Sequence, residues 1–157
     1  MKKYQSFIVF WVLFTLFCSF PLMGLFIVLG ILFSIIFLLK KFHSFITKKQ
    51  SKEEFLITLG VILTSFLISG SIHYVRLEYK RHKADIIVNQ VLDYKRIHGS
   101  YPEISDLKLK EDSFFSGGID YLKLKDSEEP FLSYMDSFMI FNFYYYDFKE
   151  SKWGHAD

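Results

Sequence analysis

Apolar positions along this chain follow three successive patterns, and each predicts a different element. Phe7 to Leu39 carries no charged residue, and a second apolar run extends from Phe55 to Ile72. From Arg76 to His98 the chain is charged, yet Ile86, Ile87, Val91, Leu92 and Tyr94 recur at helical spacing, leaving Asp85, Asn89, Lys95 and Arg96 for a wetter side. No proline separates the second run from this amphipathic stretch. One continuous helix is therefore predicted from about residue 52 to 98, roughly 70 Å long at 1.5 Å per residue. Ser51-Lys52-Glu53-Glu54 fits a capping box with Ser51 at N-cap and Glu54 at N3. Gly99 is the predicted stop, with Pro102 shortly beyond it.

The first run is too long for one untilted crossing of a ~30 Å hydrocarbon core, which needs about 20 helical residues. Pro21 and Gly24 lie near its middle and mark a hairpin corner. Two short spans, 6–20 and 22–39, are the favoured reading; one long, tilted, kinked helix is the competing one. A secretory signal peptide fits poorly, because its apolar region is shorter and ends in a small-residue cleavage site. The predicted organisation is a two-span hairpin and basic cytoplasmic loop over 1–54, a third span over 55–75, and an extracytoplasmic α+β domain over 76–157.

Charge adds a direction. Residues 1–75 hold Lys2, Lys3, Lys40, Lys41, Lys48, Lys49 and Lys52 against Glu53 and Glu54. Lysines near span ends favour the cytoplasmic side. With three spans, the N-terminus and the 40–52 loop lie inside and the C-terminal domain outside, against the opposing cluster Arg76, Lys80, Arg81 and Lys83. The remainder of the chain has no basic footprint for nucleic acid. Cys18 is the single cysteine, which excludes an intrachain disulfide.

Small residues recur in the third span at Gly60, Thr64, Ser65 and Ser69, a pattern that permits close helix packing in lipid. Packing against the chain's own first two spans is favoured over a homo-oligomer or a partner subunit. Beyond Gly99 the pattern turns extended. Gly117-Gly118 opens a strand over 119–125, Asp126 to Pro130 reads as a turn, and 131–134 and 138–146 are strand-forming and aromatic. Asp147 to Trp153 predicts a hairpin whose return strand holds Trp153. If Phe141, Phe143 and Tyr145 face the helix, then Tyr144, Tyr146 and Phe148 lie on the other face. Those three are the candidate partner-binding residues; covering the sheet or meeting lipid headgroups are the competing roles.

The run Leu92-Asp93-Tyr94-Lys95-Arg96-Ile97-His98-Gly99-Ser100-Tyr101-Pro102 resembles the helix end of type IV pilins and type II secretion pseudopilins, in a Y-x-x-x-x-G-x-Y-P pattern. The resemblance covers roughly residues 55–154 and implies a pseudopilin-like fold: one long membrane-to-domain helix on a small antiparallel sheet. No prepilin leader site is recognisable, since Glu54 precedes Phe55 and the fifth position from Phe55 is Leu59. The expected class is thus α+β, with transmembrane helices ahead of the domain.

Nothing in the sequence names a reaction. His43, His73, His82, His98 and His155 include no pair at metal-site helical spacing, and His73 is explained by a headgroup position. Nucleophile elbow, phosphate loop and dinucleotide fingerprint are all missing. Asp126, Glu128 and Glu129 read as a solvated turn, without the ligand alternation of a calcium loop. The expectation is a non-enzymatic bacterial inner-membrane protein without catalytic residues, metal or cofactor, in contact with the bilayer. Its small periplasmic domain would bind a protein partner, as an accessory subunit of an envelope or secretion assembly. The alternative is a membrane-anchored immunity protein that neutralises a toxin.

Overall fold

A computed structural model describes residues 2–49 (side chains from Gln5), 51–107, 118–123, 129–138 and 142–156. The fold is α+β, with three helices followed by a four-stranded antiparallel sheet. The helices are α1 (Lys2–Cys18), α2 (Gly24–Ile46) and α3 (Lys52–His98). The strands are β1 (Ile119–Leu122), β2 (Phe131–Met135), β3 (Phe143–Asp147) and β4 (Lys152–Ala156), in sheet order β1-β2-β3-β4. Two compact units divide the chain, 1–73 and 74–157, and α3 contributes residues to both.

The hairpin corner falls where proline and glycine place it. Helix α1 ends at Cys18, Leu22 takes a positive φ of 66°, and α2 begins at Gly24. Residues 19 and 20 are thus turn rather than span. Helix α2 also outruns its predicted end at 39, reaching Ile46. Much of the expected basic loop is helical because Phe42 and Phe45 continue the apolar face and pack on Phe55, with ring centroids 6.0 and 5.6 Å apart. Helices α2 and α3 are each long and apolar enough to cross a membrane by length and composition; α1 is shorter, apolar over Gln5–Cys18.

Aromatic contacts join the helices of the first unit. Phe7 stacks on Phe37, and Trp11 and Phe14 both meet Phe66 edge-on. Gly30 is the close approach between α1 and α2: a Cβ there would lie 2.3 Å from the Phe14 ring. The Ser51 cap forms as expected, its Oγ accepting from the Glu54 N–H at 3.2 Å.

In the second unit, α3 packs on one face of the sheet. Ala84, Ile87, Val88 and Val91 meet Tyr121, Leu132, Tyr134, Tyr146 and Phe148 in one buried cluster. The stripe is rotated from the predicted one, leaving Ile86 exposed and Leu92 partly buried. Asp85 is drawn into the packing because Trp153 Nε1–H donates to its Oδ1 at 2.8 Å. Gly99 ends α3 at φ 75°, donating to the Lys95 carbonyl at 2.8 Å, a conformation that glycine adopts freely.

The chain after Gly99 seals the end of this core. Tyr101 and Pro102 are buried, Tyr121 OH donates to the Pro102 carbonyl at 2.8 Å, and Lys123 Nζ donates to the Tyr101 carbonyl at 2.7 Å. The Gly-x-Tyr-Pro stretch thus packs beneath β1. Strand β1 ends at Leu122, with Lys123 already outside it, short of the predicted 119–125. Gly117, Leu124-Lys125, most of the acidic turn (126–128) and Phe141 lie outside the described residues. The last hairpin forms as expected, with Asp147 Oδ1 accepting from the Lys149 and Glu150 amides at 2.9 Å.

Candidate protein-interaction surface

Pairing register decides which aromatics each sheet face carries. Leu132 pairs with Tyr146 and Tyr134 with Tyr144, and directly paired residues share a face. Leu132 and Tyr134 are buried against α3, so Tyr144 and Tyr146 point there too. Tyr146 is 9% exposed and Phe148 6%. This reverses the expected faces: Tyr144, Tyr146 and Phe148 belong to the helix side and are not an exposed anchor. Tyr146 meets Trp153 and Phe148 edge-on, while Tyr134 stacks on Tyr144 at 5.1 Å. The sequence offered aromatics at both parities, so alternation alone was blind to the difference. The better signal was β2, where Leu132 and Tyr134 alternate with Ser133.

The opposite face carries the other set. Leu122 pairs with Phe131, Met135 with Phe143, and Tyr145 with Ser133 and Gly154. Tyr145 lies across Gly154, where a Cβ would come within 2.4 Å of its ring, and this large ring shields the bare backbone of β4. Phe131 and Phe143 flank Tyr145 with centroids 6.5 and 6.3 Å away. Leu122 is 58% exposed and Phe131 44%, and Met135 and Phe143 are exposed as well. The result is an aromatic row with aliphatic ends on a surface that the core does not use.

Buried charge lies on α3 beside this sheet. Lys80, one of the basic cluster that opposes the predicted orientation, is buried and donates from Nζ to the Met135 carbonyl at 3.0 Å. Burial holds its ammonium pKa below the ordinary range, Asp136 opposes that shift and Arg76 adds to it. Arg76 is also buried, and desolvation lowers its pKa. Burial pushes the phenols of Tyr121 and Tyr134 up to about 12. At the helix end, Lys95 Nζ donates to Tyr101 OH at 2.8 Å.

The small-residue stripe of α3 divides. Ser65 and Ser69 are buried, and Ser69 Oγ donates to the Thr15 carbonyl at 3.3 Å. Gly60 and Thr64 are exposed, and a Cβ at Gly60 would meet nothing within 4 Å. Close packing therefore uses Thr58, Ile62, Ser65 and Ser69, two positions off the predicted set at its first two members. His73 is buried rather than at a surface, with Nε2 2.7 Å from the Cys18 carbonyl. That oxygen can only accept, so Nε2 carries the proton. His98 and His155 are exposed, the former the last residue of α3 and the latter in β4.

Among the described residues, no three His, Cys, Asp or Glu side chains gather as a metal site requires. The arrangement defines a small α+β domain with one closed sheet face and one apolar open face, built on the end of a long helix. Comparison of the chain with protein-family models, curated proteins and solved structures gives no match.

Proposed function

We propose that this chain is a bacterial inner-membrane protein of non-enzymatic role, mounting a pseudopilin-like domain that recognises a protein partner through the open face of its sheet. In this reading 1–54 form a two-span hairpin with a short basic cytoplasmic connection, 55–75 the third span, and 76–157 the periplasmic domain. The observation that carries the reading is the open-face row Phe131, Tyr145 and Phe143, in which half-buried Tyr145 lies between exposed Phe131 and Phe143, flanked by exposed Leu122 and Met135. Aromatics and methionine are the residue types enriched at interfaces, whereas the sheet's polar residues would suffice for a face left in water. The apolar outer surfaces of α2 and of the first part of α3 support the membrane reading: Leu67 is 70% exposed, and Leu63, Ile68, Phe33 and Leu39 are exposed too. Accessory service in an envelope or secretion assembly is the role that a membrane-mounted binding domain of this shape fits.

The test is a photo-crosslinking amino acid placed at Phe131 or Phe143 in intact cells, with Lys149 in the last turn as control. A discrete heterologous adduct from the two sheet positions, and none from Lys149, is expected. Adducts from all three positions, or from none, would overturn partner recognition by this face. A reporter fused after Asp157 that is active in the cytoplasm would overturn the periplasmic placement.

A further inference from the structure

An apolar groove of about 680 Å³ lies between α1 and α2, outside the surface described above. Volumes of roughly 300–1,000 Å³ are typical of pockets that take small organic ligands. Phe7, Phe10 and Phe14 line it from α1, Phe26, Phe33 and Phe37 from α2, and Trp11 lies buried along it. The positions Phe26, Gly30, Phe33, Phe37 and Lys41 advance by three or four residues, so they follow one face of α2. The groove thus ends under a cation. Lys41 Nζ stands 5.6 Å from the centroid of the Phe37 ring, and Lys40 is exposed beside it. No acidic residue precedes Glu53 in the chain.

We propose that this groove binds one anionic phospholipid of the bilayer, with an acyl chain along the aromatic trough and the headgroup phosphate at Lys40 and Lys41. Dimensions and charge both fit. The rise from Phe26 to Phe37 is about 16 Å at 1.5 Å per residue, close to one leaflet of a ~30 Å hydrocarbon core. Basic residues where helices leave the membrane attract anionic headgroups, and each is worth about 1 kcal/mol near the surface. A helix of a second copy would fill the trough equally well, but would leave the paired lysines unexplained. The proposal rests on the membrane reading above.

Trp11 supplies the probe, because the chain has only one other tryptophan, Trp153. The full chain carrying Trp153→Phe is reconstituted into phosphatidylcholine nanodiscs that contain a minor fraction of acyl-brominated lipid. Brominated phosphatidylglycerol should quench Trp11 at least threefold more than the same fraction of brominated phosphatidylcholine, and Lys40→Gln with Lys41→Gln should abolish that excess. Native mass spectrometry of the unsubstituted chain gives an independent readout: one retained phosphatidylglycerol, lost in the double variant. Equal quenching by the two lipids, or an excess that survives loss of both lysines, overturns the proposal. So does protection of Trp11 that increases with protein concentration, which marks a second copy in the groove. Failure of the chain to enter nanodiscs at all would sink the membrane reading itself, whereas entry without quenching sinks only the lipid site.

Discussion

The two parts of α3 bury different mixtures of side chains, mostly polar in the first unit and apolar along the sheet in the second. In the first unit its buried positions are Thr58, Ile62, Ser65, Ser69 and His73, all but Ile62 polar, while Leu56, Leu63, Leu67 and Ile68 stay outside. In the second unit its buried positions include Ala84, Ile87, Val88 and Val91, while Asp93 and Arg96 stay outside and pair with each other at 2.9 Å. A helix immersed in water hides its apolar stripe, because burial is worth about 25 cal/mol per Å². A helix immersed in lipid gains nothing by hiding leucine, and its neighbours approach through small and hydrogen-bonding residues instead. On the proposed membrane reading one continuous helix carries two solvent codes, and the change in what it buries falls between His73 and Ala84. Arg76 and Lys80, the buried basic residues of α3, occupy that interval.

The sharpest test of this contrast pairs two substitutions. Leu132→Ala deletes a fully buried side chain under α3 and should cost about 2–5 kcal/mol of domain stability. Leu67→Asp, at a position 70% exposed, should leave the fold of the second unit intact and yet cost about 2.5–3.5 kcal/mol of membrane insertion. Trp153 fluorescence on denaturant titration in micelles measures the first, and carbonate extraction of membranes the second. Unchanged extraction of Leu67→Asp would break the contrast, because that face would then be indifferent to its surroundings.

Alkaline pH probes the domain side alone. Tyr121 and Tyr134 have folded pKa values of about 12, raised chiefly by burial. The unfolded chain releases these protons near pH 10, so their stabilisation is complete below that value and is lost as pH rises to about 12. Each contributes at most 2–3 kcal/mol, at about 1.4 kcal/mol per unit. Lys80 acts in the opposite sense: its lowered pKa makes stability rise with pH until the unfolded lysine has also titrated, near 10.4. A steep loss of near-ultraviolet circular dichroism is therefore expected above about pH 10.5. Tyr134→Phe should roughly halve it, and an unaltered profile in that variant would place the alkaline transition elsewhere.

Much of this architecture was legible because it rests on strong local signals. The Ser51 cap, the Pro21 corner, the Gly99 stop and the Asp147 hairpin each depend on one or two side chains with few alternatives. The sheet face was not legible, because Phe143, Tyr144, Tyr145 and Tyr146 offer equal apolar content at both parities; register with Leu132 and Tyr134 breaks the tie. The burial of Lys80 was not legible for a related reason. A lysine reads as solvent-facing until a carbonyl at the end of a distant strand, Met135, gives its ammonium a buried acceptor. The groove lay hidden because it depends on two helices facing each other, which neither run of phenylalanines specifies alone.

The smallest expected effects separate the two kinds of small residue within the first part of α3. Ser69→Ala removes an interhelical hydrogen bond to the Thr15 carbonyl, and such bonds average about 0.6 kcal/mol in membrane proteins. Gly60→Ala adds a methyl group where nothing lies within 4 Å, and alanine favours a helix over glycine by about 1 kcal/mol. The two variants should therefore shift thermal unfolding in micelles in opposite directions, Ser69→Ala downward and Gly60→Ala upward. Their sum in the double variant should be close to additive, since the sites lie more than two helical turns apart. A downward shift for Gly60→Ala that deepens with protein concentration would show a second copy packed on Gly60 and Thr64. In that case the outward side of α3 would be an interface, and its exposed leucines would owe their exposure to a missing partner rather than to lipid.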